Sequence, residues 1–197
     1  MKTNYQLETD KCIAALPPEE KPTLLLHSCC GPCSSYVLEY LTRYFDVAIL
    51  YYNPNIQPEA EYEKRLLYQR EVLKHIPARI IKCAYDGDAF AKIAAGYEDV
   101  PEGGERCTRC FRLRLEETAR RAAEGGFDYY CTTLTVSPHK DPERINRIGA
   151  ELGRRYGVRW LPSDFKKRDG YLRSIRLAQE YGLYRQDWCG CAYSRGK

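Results

Sequence analysis

The sequence has no apolar run long enough to cross a bilayer. Its longest aliphatic stretches, residues 23–26 and 47–52, fall far short of the roughly 20 residues that a membrane-spanning helix needs. Residues 1–10 are polar and lack the apolar core of a secretory signal, so we expect a cytoplasmic protein with no membrane partner. Collagen-like, low-complexity, heptad and internal repeats are also absent, which excludes fibrous, coiled-coil and solenoid architectures.

What remains is an ordinary globular composition. Of the 197 residues, 44% are hydrophobic and 29% are charged, a balance that excludes wholesale disorder. A chain of this length buries roughly 70% of its extended surface and needs neither a disulfide nor a metal merely to fold. We expect an N-terminal extension over residues 1–22 and one catalytic domain over residues 23–197, which includes a cysteine-containing C-terminal tail.

Strand-like and helix-like segments alternate along the chain, which predicts a three-layer α/β domain with a mostly parallel sheet. Strands are predicted at residues 23–27, 46–52, 79–83, 128–133 and 158–161. Helices are predicted at residues 34–44, 58–75, 90–95, 106–124, 142–156 and 170–181. Ligands of such sheets bind beyond the carboxyl ends of the strands, where the loops 27–33, 53–55 and 132–140 are expected to converge.

Basic residues are concentrated in the second half of the chain. Residues 1–100 carry 11 Lys and Arg against 14 Asp and Glu, whereas residues 101–197 carry 20 against 13. A cationic half that also contains many tyrosines suits a phosphate-backbone partner, and a solvated surface is the alternative interpretation.

Cysteine is the strongest chemical signal, with ten in the chain. Seven form three tight groups: Cys29, Cys30 and Cys33; Cys107 and Cys110; Cys189 and Cys191. In a reducing compartment, clustered cysteines indicate metal or redox chemistry rather than structural disulfides. Seven thiols exceed the four that one zinc ion or one [4Fe–4S] cluster needs, so a cluster with a second metal, or with a redox-active pair, would use them.

The other cysteines are solitary. Cys83 and Cys131 lie in apolar, strand-like runs and are interpreted as core packing, because a buried free cysteine behaves as a small hydrophobe. Cys12, in the N-terminal segment, carries no readable role. His27 ends the first predicted strand, and we favour a core histidine with satisfied hydrogen bonds over a metal ligand.

Single motifs leave alternatives open. The Cys30-Gly-Pro-Cys33 sequence after a strand is typical of thioredoxin-like exchange, but the expected tryptophan is absent. Together with Cys107 and Cys110, the same two cysteines would make a four-thiolate zinc site, as in a zinc-stabilised RNA-binding module. A PP-loop tRNA sulfur-transfer enzyme is the third alternative, although that class has a Gly/Ser-rich phosphate loop where this chain carries thiols.

Jointly, the motifs resemble the cobalamin-independent, iron–sulfur epoxyqueuosine reductase family. The matching segments run in order along the chain: 27–33, 52–56 with Glu61, Tyr62 and Arg65, 105–110 with Arg112, 132–134 with 137–140, 164–167 with Gly170 and Tyr171, and 184–191. The resemblance implies a Rossmann-like parallel sheet related to nucleotide-binding α-hydrolase (PP-loop-like) folds, with a helical and loop C-terminal extension that completes the metal site. It also implies an oxidoreductase that deoxygenates epoxyqueuosine to queuosine at the wobble position of tRNA.

The resemblance further implies a [4Fe–4S] cluster with a second mononuclear iron beside it. All seven clustered cysteines are candidate metal ligands, and those assigned to the cluster are Cys29, Cys30, Cys107, Cys110, Cys189 and Cys191. Cys33 is the first choice for the second iron, because the family pattern allows aspartate at this position. Removing an epoxide oxygen needs two electrons and two protons, and a Lewis-acidic iron would polarise the C–O bond while a cluster passes electrons singly.

Candidate roles for the remaining residues also follow from the resemblance. Cys30, Cys33 and Lys140 are the candidate catalytic residues. The candidate substrate-binding residues are Asn53, Asn55, Tyr62, Arg65, Lys166 and Arg185. A simple turn is the alternative interpretation for the two asparagines, and core packing is the favoured role for Tyr62 taken alone. Lys140 and Lys166 could meet phosphate, donate protons or simply lie in solvent. The implied partners are tRNAs with GUN anticodons, those for Asp, Asn, His and Tyr, and a one-electron donor such as a ferredoxin or flavodoxin.

Overall fold

The computed structural model, which describes residues 3–194, is built around a parallel sheet. Its strands are β1 (Thr23–His27), β2 (Asp46–Tyr51), β3 (Arg79–Lys82), β4 (Tyr129–Thr132) and β5 (Arg159–Trp160). They lie in the order β3-β2-β1-β4-β5, and every neighbouring pair is parallel. The predicted α/β class and parallel sheet are therefore confirmed.

Seven α-helices accompany the strands within residues 3–194. They are α1 (Tyr5–Ala14), α2 (Gly31–Leu41), α3 (Glu59–His75), α4 (Gly87–Ala94), α5 (Glu105–Glu124), α6 (Pro142–Tyr156) and α7 (Gly170–Glu180). Helix α1 was not predicted. It lies within the segment expected as an N-terminal extension, and its buried Thr9 donates a hydrogen bond to the carbonyl of Pro162 over 2.7 Å. No helix in this part of the chain is both long and apolar enough to span a bilayer.

Strand β1 lies at the centre and is buried on both faces. Leu24 and Leu26 point into a core that includes side chains of α2, whereas Leu25 points into a second core that includes side chains of α5 and α6. This alternation follows from the two-residue period of a strand, and the continuous apolar sequence of β1 is what a doubly covered parallel strand requires. The helices therefore form two outer layers around the sheet.

The first turn of α2 begins earlier than predicted. Gly31 and Pro32 were expected to separate the first strand from a helix beginning at Ser34, but the helix begins at Gly31. Proline is favourable in a first helical turn because its missing N–H has no intrahelical partner there. Glycine is required by close packing, since a Cβ at Gly31 would lie 2.6 Å from the carbonyl oxygen of Tyr68 in α3. Cys33 therefore lies in the first turn of α2.

The strand order reverses direction at β1, because the chain passes from β1 to β2 and β3 on one side and returns to β4 on the other. A crevice forms at such a switch point, beyond the carboxyl ends of the strands. The loop after β1 leads to α2, and the chain after β4 makes a short 3-10 turn over Thr133–Val136. The predicted convergence of these loops is therefore built into the topology.

Candidate metal centre

The first thiol group lies where β1 joins α2. Cys29, Cys30 and Cys33 have sulfur atoms that all lie within 4.8 Å of one another, and the sulfurs of Cys29 and Cys30 are 3.8 Å apart. From the C-terminal tail, Gln186 donates its side-chain N–H to the Cys30 sulfur over 2.9 Å. Within residues 3–194 no fourth protein donor joins these three thiols, which is the donor pattern of a metal site that keeps an open position.

One thiolate is favoured within this triad. Hydrogen bonds from Cys30 and Cys33, together with the charge of Arg114, hold the pKa of Cys29 well below its usual range. The same hydrogen bonding to Cys29 raises the pKa of Cys30 to about 12, and it also raises the pKa of Cys33. The triad thus offers one ready thiolate, and a bound cation would displace the protons of the other two.

The second thiol group joins the start of α5 to the C-terminal tail. Cys107, Cys110, Cys189 and Cys191 line a small cavity of about 80 Å³. The Gly103 N–H donates to the Cys107 sulfur over 3.3 Å. The hydrogen bond from Cys191 and the positive charge of Lys140 lower the pKa of Cys189 to about 5. Four thiols around one cavity are the donor set of an iron–sulfur cluster.

Spacing distinguishes the two groups. Among residues 3–194, the triad is the only set of three or more metal-donor side chains whose donor atoms all meet within 4.8 Å. The thiols of the second group are therefore spread more widely, as a cluster of four irons requires and a single ion does not. For the same reason, Cys30 and Cys33 do not meet Cys107 and Cys110, so the alternative zinc site from these two pairs is not assembled.

The C-terminal tail is held in place by Arg65. This side chain is 3% exposed and pairs with Glu61, with its Nε 2.7 Å from the carboxylate oxygen. Its remaining nitrogens donate to the backbone carbonyls of Trp188 and Cys189 over 3.4 and 3.2 Å. Gly190 adds a further attachment, because its carbonyl accepts a hydrogen bond from the Gln57 N–H over 2.8 Å. Its φ of 104° lies in the region that favours glycine. Arg65 thus positions the tail that carries two of the thiols.

Tyr62 is 1% exposed and lies inside a small core cluster with Tyr51. Its hydroxyl donates to the carbonyl of Cys83 over 3.0 Å. The structure therefore gives this side chain the packing role that was favoured for it taken alone. Cys83 and Cys131 are likewise buried, as predicted for core cysteines.

The two asparagines after β2 differ in their surroundings. Asn53 is satisfied by the protein, because its Nδ2 donates to the Ser28 carbonyl over 2.8 Å and its Oδ1 accepts from Arg114 over 2.7 Å. Asn55 is 1% exposed and lines the four-thiol cavity. Within residues 3–194, its Oδ1 has no hydrogen-bond partner. Asn53 therefore supports the loop after β1, whereas Asn55 presents an unsatisfied acceptor beside the second thiol group.

A cleft of about 510 Å³ opens over both thiol groups. Its lining includes Cys29, Cys33, Lys140, Arg185 and Cys189, so the structure brings these predicted site residues together. Lys166 is outside this lining. It pairs with Asp164 and lines an adjoining cleft of about 610 Å³. The two clefts share Lys140, which places that side chain where they meet.

His27 is a buried core residue, as favoured from the sequence. Its Nδ1 lies 2.8 Å from the Thr132 hydroxyl, and Arg114 donates to its Nε2 over 3.3 Å. Burial and the charge of Arg114 lower the pKa of His27 to about 3, so the ring is neutral. Both ring nitrogens are engaged by the protein, which leaves neither for a metal.

Sequence reasoning missed Arg114 as a site residue. It is 3% exposed and lines both the small cavity and the cleft. The signal that would have found it is its position four residues after Cys110, beside the apolar stripe of α5. A cation on a buried helix face needs a specific partner. Gln186 was also not singled out, although it lies in the segment 184–191 that carries the resemblance.

Comparison with known proteins gives concordant results. Residues 24–197 match the model of the family described as epoxyqueuosine reductase QueH. The curated relative of that name from Staphylococcus epidermidis is 42% identical, over 100% of this chain and 86% of its own length. The relative from Thermotoga maritima is 37% identical, over 87% of this chain and 90% of its own length.

One solved structure shows the likeness of the fold. The U34-tRNA thiolase NcsA from Methanococcus maripaludis, determined with its [4Fe-4S] cluster, has a TM-score of 0.51 to this chain and 13% sequence identity. The match covers 95% of this chain and 67% of the thiolase. At this identity the likeness extends to the fold alone, and it agrees with the predicted α/β architecture.

Proposed function

This chain belongs to the epoxyqueuosine reductase QueH family, and we propose that its two thiol groups hold the two metal centres of that reaction. The enzyme is an oxidoreductase of queuosine biosynthesis and acts in tRNA modification. The family membership confirms the resemblance drawn from the motifs. The observation that carries the proposal is the division of seven clustered cysteines into a widely spaced group of four and a compact group of three.

We assign the [4Fe–4S] cluster to Cys107, Cys110, Cys189 and Cys191. Support comes from the charges around their cavity, where four cationic side chains outnumber two carboxylates. The cations are Arg106, Arg114, Lys140 and Arg144, and the carboxylates are Glu102 and Asp141. A positive surrounding stabilises thiolates, which are the form that binds iron. Cys29 and Cys30, first grouped with the cluster ligands, belong to the other centre in this assignment.

We assign the second, mononuclear iron to Cys29, Cys30 and Cys33. These thiols form one wall of the cleft through Cys29 and Cys33, so a metal there would face a bound ligand. When bound, the cluster supplies electrons one at a time and the iron supplies a Lewis acid for the epoxide oxygen. The remaining tasks fall to the chain itself, which binds the nucleotide, excludes water and supplies protons.

Lys140 is our choice for the proton source. It lines the small cavity and both clefts, so it borders both the four-thiol cavity and the open clefts. Deoxygenation breaks both C–O bonds of the epoxide with two electrons, and the released oxygen takes up two protons and leaves as water. An ammonium group at this position would hold one proton near the departing oxygen. After donating it, the amine would be reprotonated by solvent in the open cleft.

The substrate in this proposal is the wobble nucleotide of tRNAs with GUN anticodons. An anticodon base is single-stranded, so it enters a pocket without melting a duplex. Arg185 in the cleft and Lys166 in the adjoining cleft are placed to meet phosphates. The unsatisfied Asn55 oxygen offers an acceptor near the cluster site. We further propose a cytoplasmic location and a one-electron donor such as a ferredoxin or flavodoxin.

Anaerobic reconstitution with iron and sulfide tests the metal proposal. We expect a brown protein that absorbs near ~400 nm and holds about five irons and about four sulfides per chain. A colourless protein that binds zinc alone under the same conditions would contradict the proposal. About four irons per chain, with full activity, would contradict only the second centre.

A further inference from the structure

Arg114 carries a buried positive charge that no carboxylate in residues 3–194 neutralises. Its Nη2 donates to Asn53 Oδ1 over 2.7 Å, and its Nε donates to His27 Nε2 over 3.3 Å. Its Nη1 lies 3.9 Å from the Cys110 sulfur. Neither of the first two acceptors is an anion, because Asn53 is an amide and His27 an imidazole. The third contact is with a candidate cluster ligand.

The other buried arginines are compensated differently. Arg65 pairs with Glu61 over 2.7 Å. Arg106 donates to the backbone carbonyls of Tyr97, Glu98 and Val100, and so holds together the loop before α5. Within residues 3–194, Arg114 has neither a carboxylate nor a set of carbonyls as partners, and its Nη1 contacts a thiol of the proposed cluster site.

Burying a guanidinium without an anion is costly, so a buried arginine is normally paired. The groups near Arg114 that can carry a negative charge are thiols, because Cys110 is in contact with it and Cys29 lines the same cleft. These two cysteines belong to different thiol groups. Arg114 also lines both the four-thiol cavity and the open cleft. A single fixed cation is thus placed between the two proposed centres.

We infer that Arg114 is a positioning residue whose charge offsets the negative charge of the loaded centre and raises the reduction potential of the cluster. The inference rests on the proposed function, because it requires a cluster at Cys110. Cluster potentials depend on net charge and on hydrogen bonds to the sulfur atoms. A cation in contact with a ligand sulfur stabilises the reduced cluster, which carries one more negative charge than the oxidised one.

The test is a redox titration of the reconstituted protein, in which the electron paramagnetic resonance signal measures the fraction of reduced cluster. Replacing the charge in Arg114→Met should lower the equilibrium constant for one-electron reduction at least tenfold, which shifts the midpoint about 59 mV more negative. Arg120→Met is the matched control on the same helix, since Arg120 pairs with Glu117 and Glu124 on the surface. Its midpoint should equal that of the wild type.

An unchanged midpoint in Arg114→Met, with the cluster retained, would overturn the inference and leave the proposed function intact. A wild-type protein that holds no cluster would instead contradict the proposed function. If the Arg114→Met variant does not bind a cluster, the Arg114→Lys and Arg114→Gln variants are compared instead. A lower midpoint in the glutamine variant, or loading of the lysine variant alone, supports a role of the charge. Equal midpoints, or failure of both to load, would overturn it.

Discussion

Gln186 donates its side-chain amide to the Cys30 sulfur over 2.9 Å, which joins the C-terminal tail to the loop after β1 across 156 positions of sequence. Arg65 fastens the same tail to α3 through the carbonyls of Trp188 and Cys189. The tail therefore serves both thiol groups, since it contacts one and supplies two members of the other. The four-thiol group is therefore complete only when the tail packs against the carboxyl ends of the strands.

The cluster assignment predicts the behaviour of the α5 thiols. In Cys107→Ala and Cys110→Ala, each protein should lose cluster iron, sulfide and activity while staying folded, because each variant removes one of four ligands but little packing. Iron and sulfide analysis, with circular dichroism for the fold, checks this prediction. Cys83→Ala is the matched control and should keep a full cluster, because Cys83 is a buried core cysteine that belongs to neither thiol group. Full iron and sulfide in both α5 variants would refute the assignment.

The second-iron assignment predicts a different outcome for Cys33. The Cys33→Ala variant should keep most of the cluster absorption but lose deoxygenation, because this thiol belongs to the compact triad. A carboxylate is also a ligand for iron, so Cys33→Asp should restore at least partial turnover. Absorption spectra and product analysis of the two variants check this pair of outcomes. Loss of the cluster in Cys33→Ala, or normal turnover by it, would rule out separate centres.

Arg65 gives a prediction that separates tail positioning from substrate binding. Arg65→Met leaves Glu61 and two tail carbonyls without their donor, at a cost of about 1–3 kcal/mol in the free energy of unfolding. Iron content should fall with it, because the loosened tail carries Cys189 and Cys191. Denaturant unfolding and iron analysis measure both effects. Arg70→Met, an exposed position on the same helix, is the control.

The substrate-binding interpretation of Arg65 predicts the opposite pattern. A side chain that only contacts tRNA would leave iron content and stability unchanged and would raise KM. Such a result for Arg65→Met would show that the tail does not depend on this arginine.

Binding of tRNA should weaken as salt rises, because we propose that the basic side chains of the clefts meet phosphates. Changing Arg185 or Lys166 to glutamine should make the slope of log affinity against log salt shallower, by about 0.7 for each phosphate of single-stranded RNA that the protein no longer neutralises. Lys74→Gln is the control, since Lys74 lies in the last turn of α3. That turn precedes β3 and so lies at the amino ends of the strands, whereas the clefts lie at the carboxyl ends. Filter-binding or anisotropy measurements over a salt series check this prediction. Salt-independent affinity, or an equal effect of the Lys74 change, would count against these roles of Arg185 and Lys166.

The fold was largely predictable because its signals are local. The apolar run of β1 and the periodic apolar face of α6 each define an element within a few residues, and both were predicted with the observed bounds. Helix α1 was missed because its sequence is polar and weakly amphipathic, and its place depends on contacts such as the one between Thr9 and Pro162.

The candidate site was predictable in its thiols but not in their grouping. Which of the seven cysteines meet depends on how the tail folds back, and that is decided by distant residues such as Arg65 and Gln186. The buried position of Arg114 likewise follows from packing around α5. Its spacing of four residues from Cys110 places the two on one face of α5, but only the packed structure shows that this face is buried.

Product analysis tests the central claim most directly. The reconstituted enzyme is incubated anaerobically with a one-electron reductant and tRNA that carries epoxyqueuosine, and the nucleosides are then released and identified by mass spectrometry. The account predicts conversion of epoxyqueuosine to queuosine by loss of one oxygen atom, with no conversion by protein that lacks iron. Epoxyqueuosine that stays intact in the presence of fully loaded enzyme and reductant would contradict it.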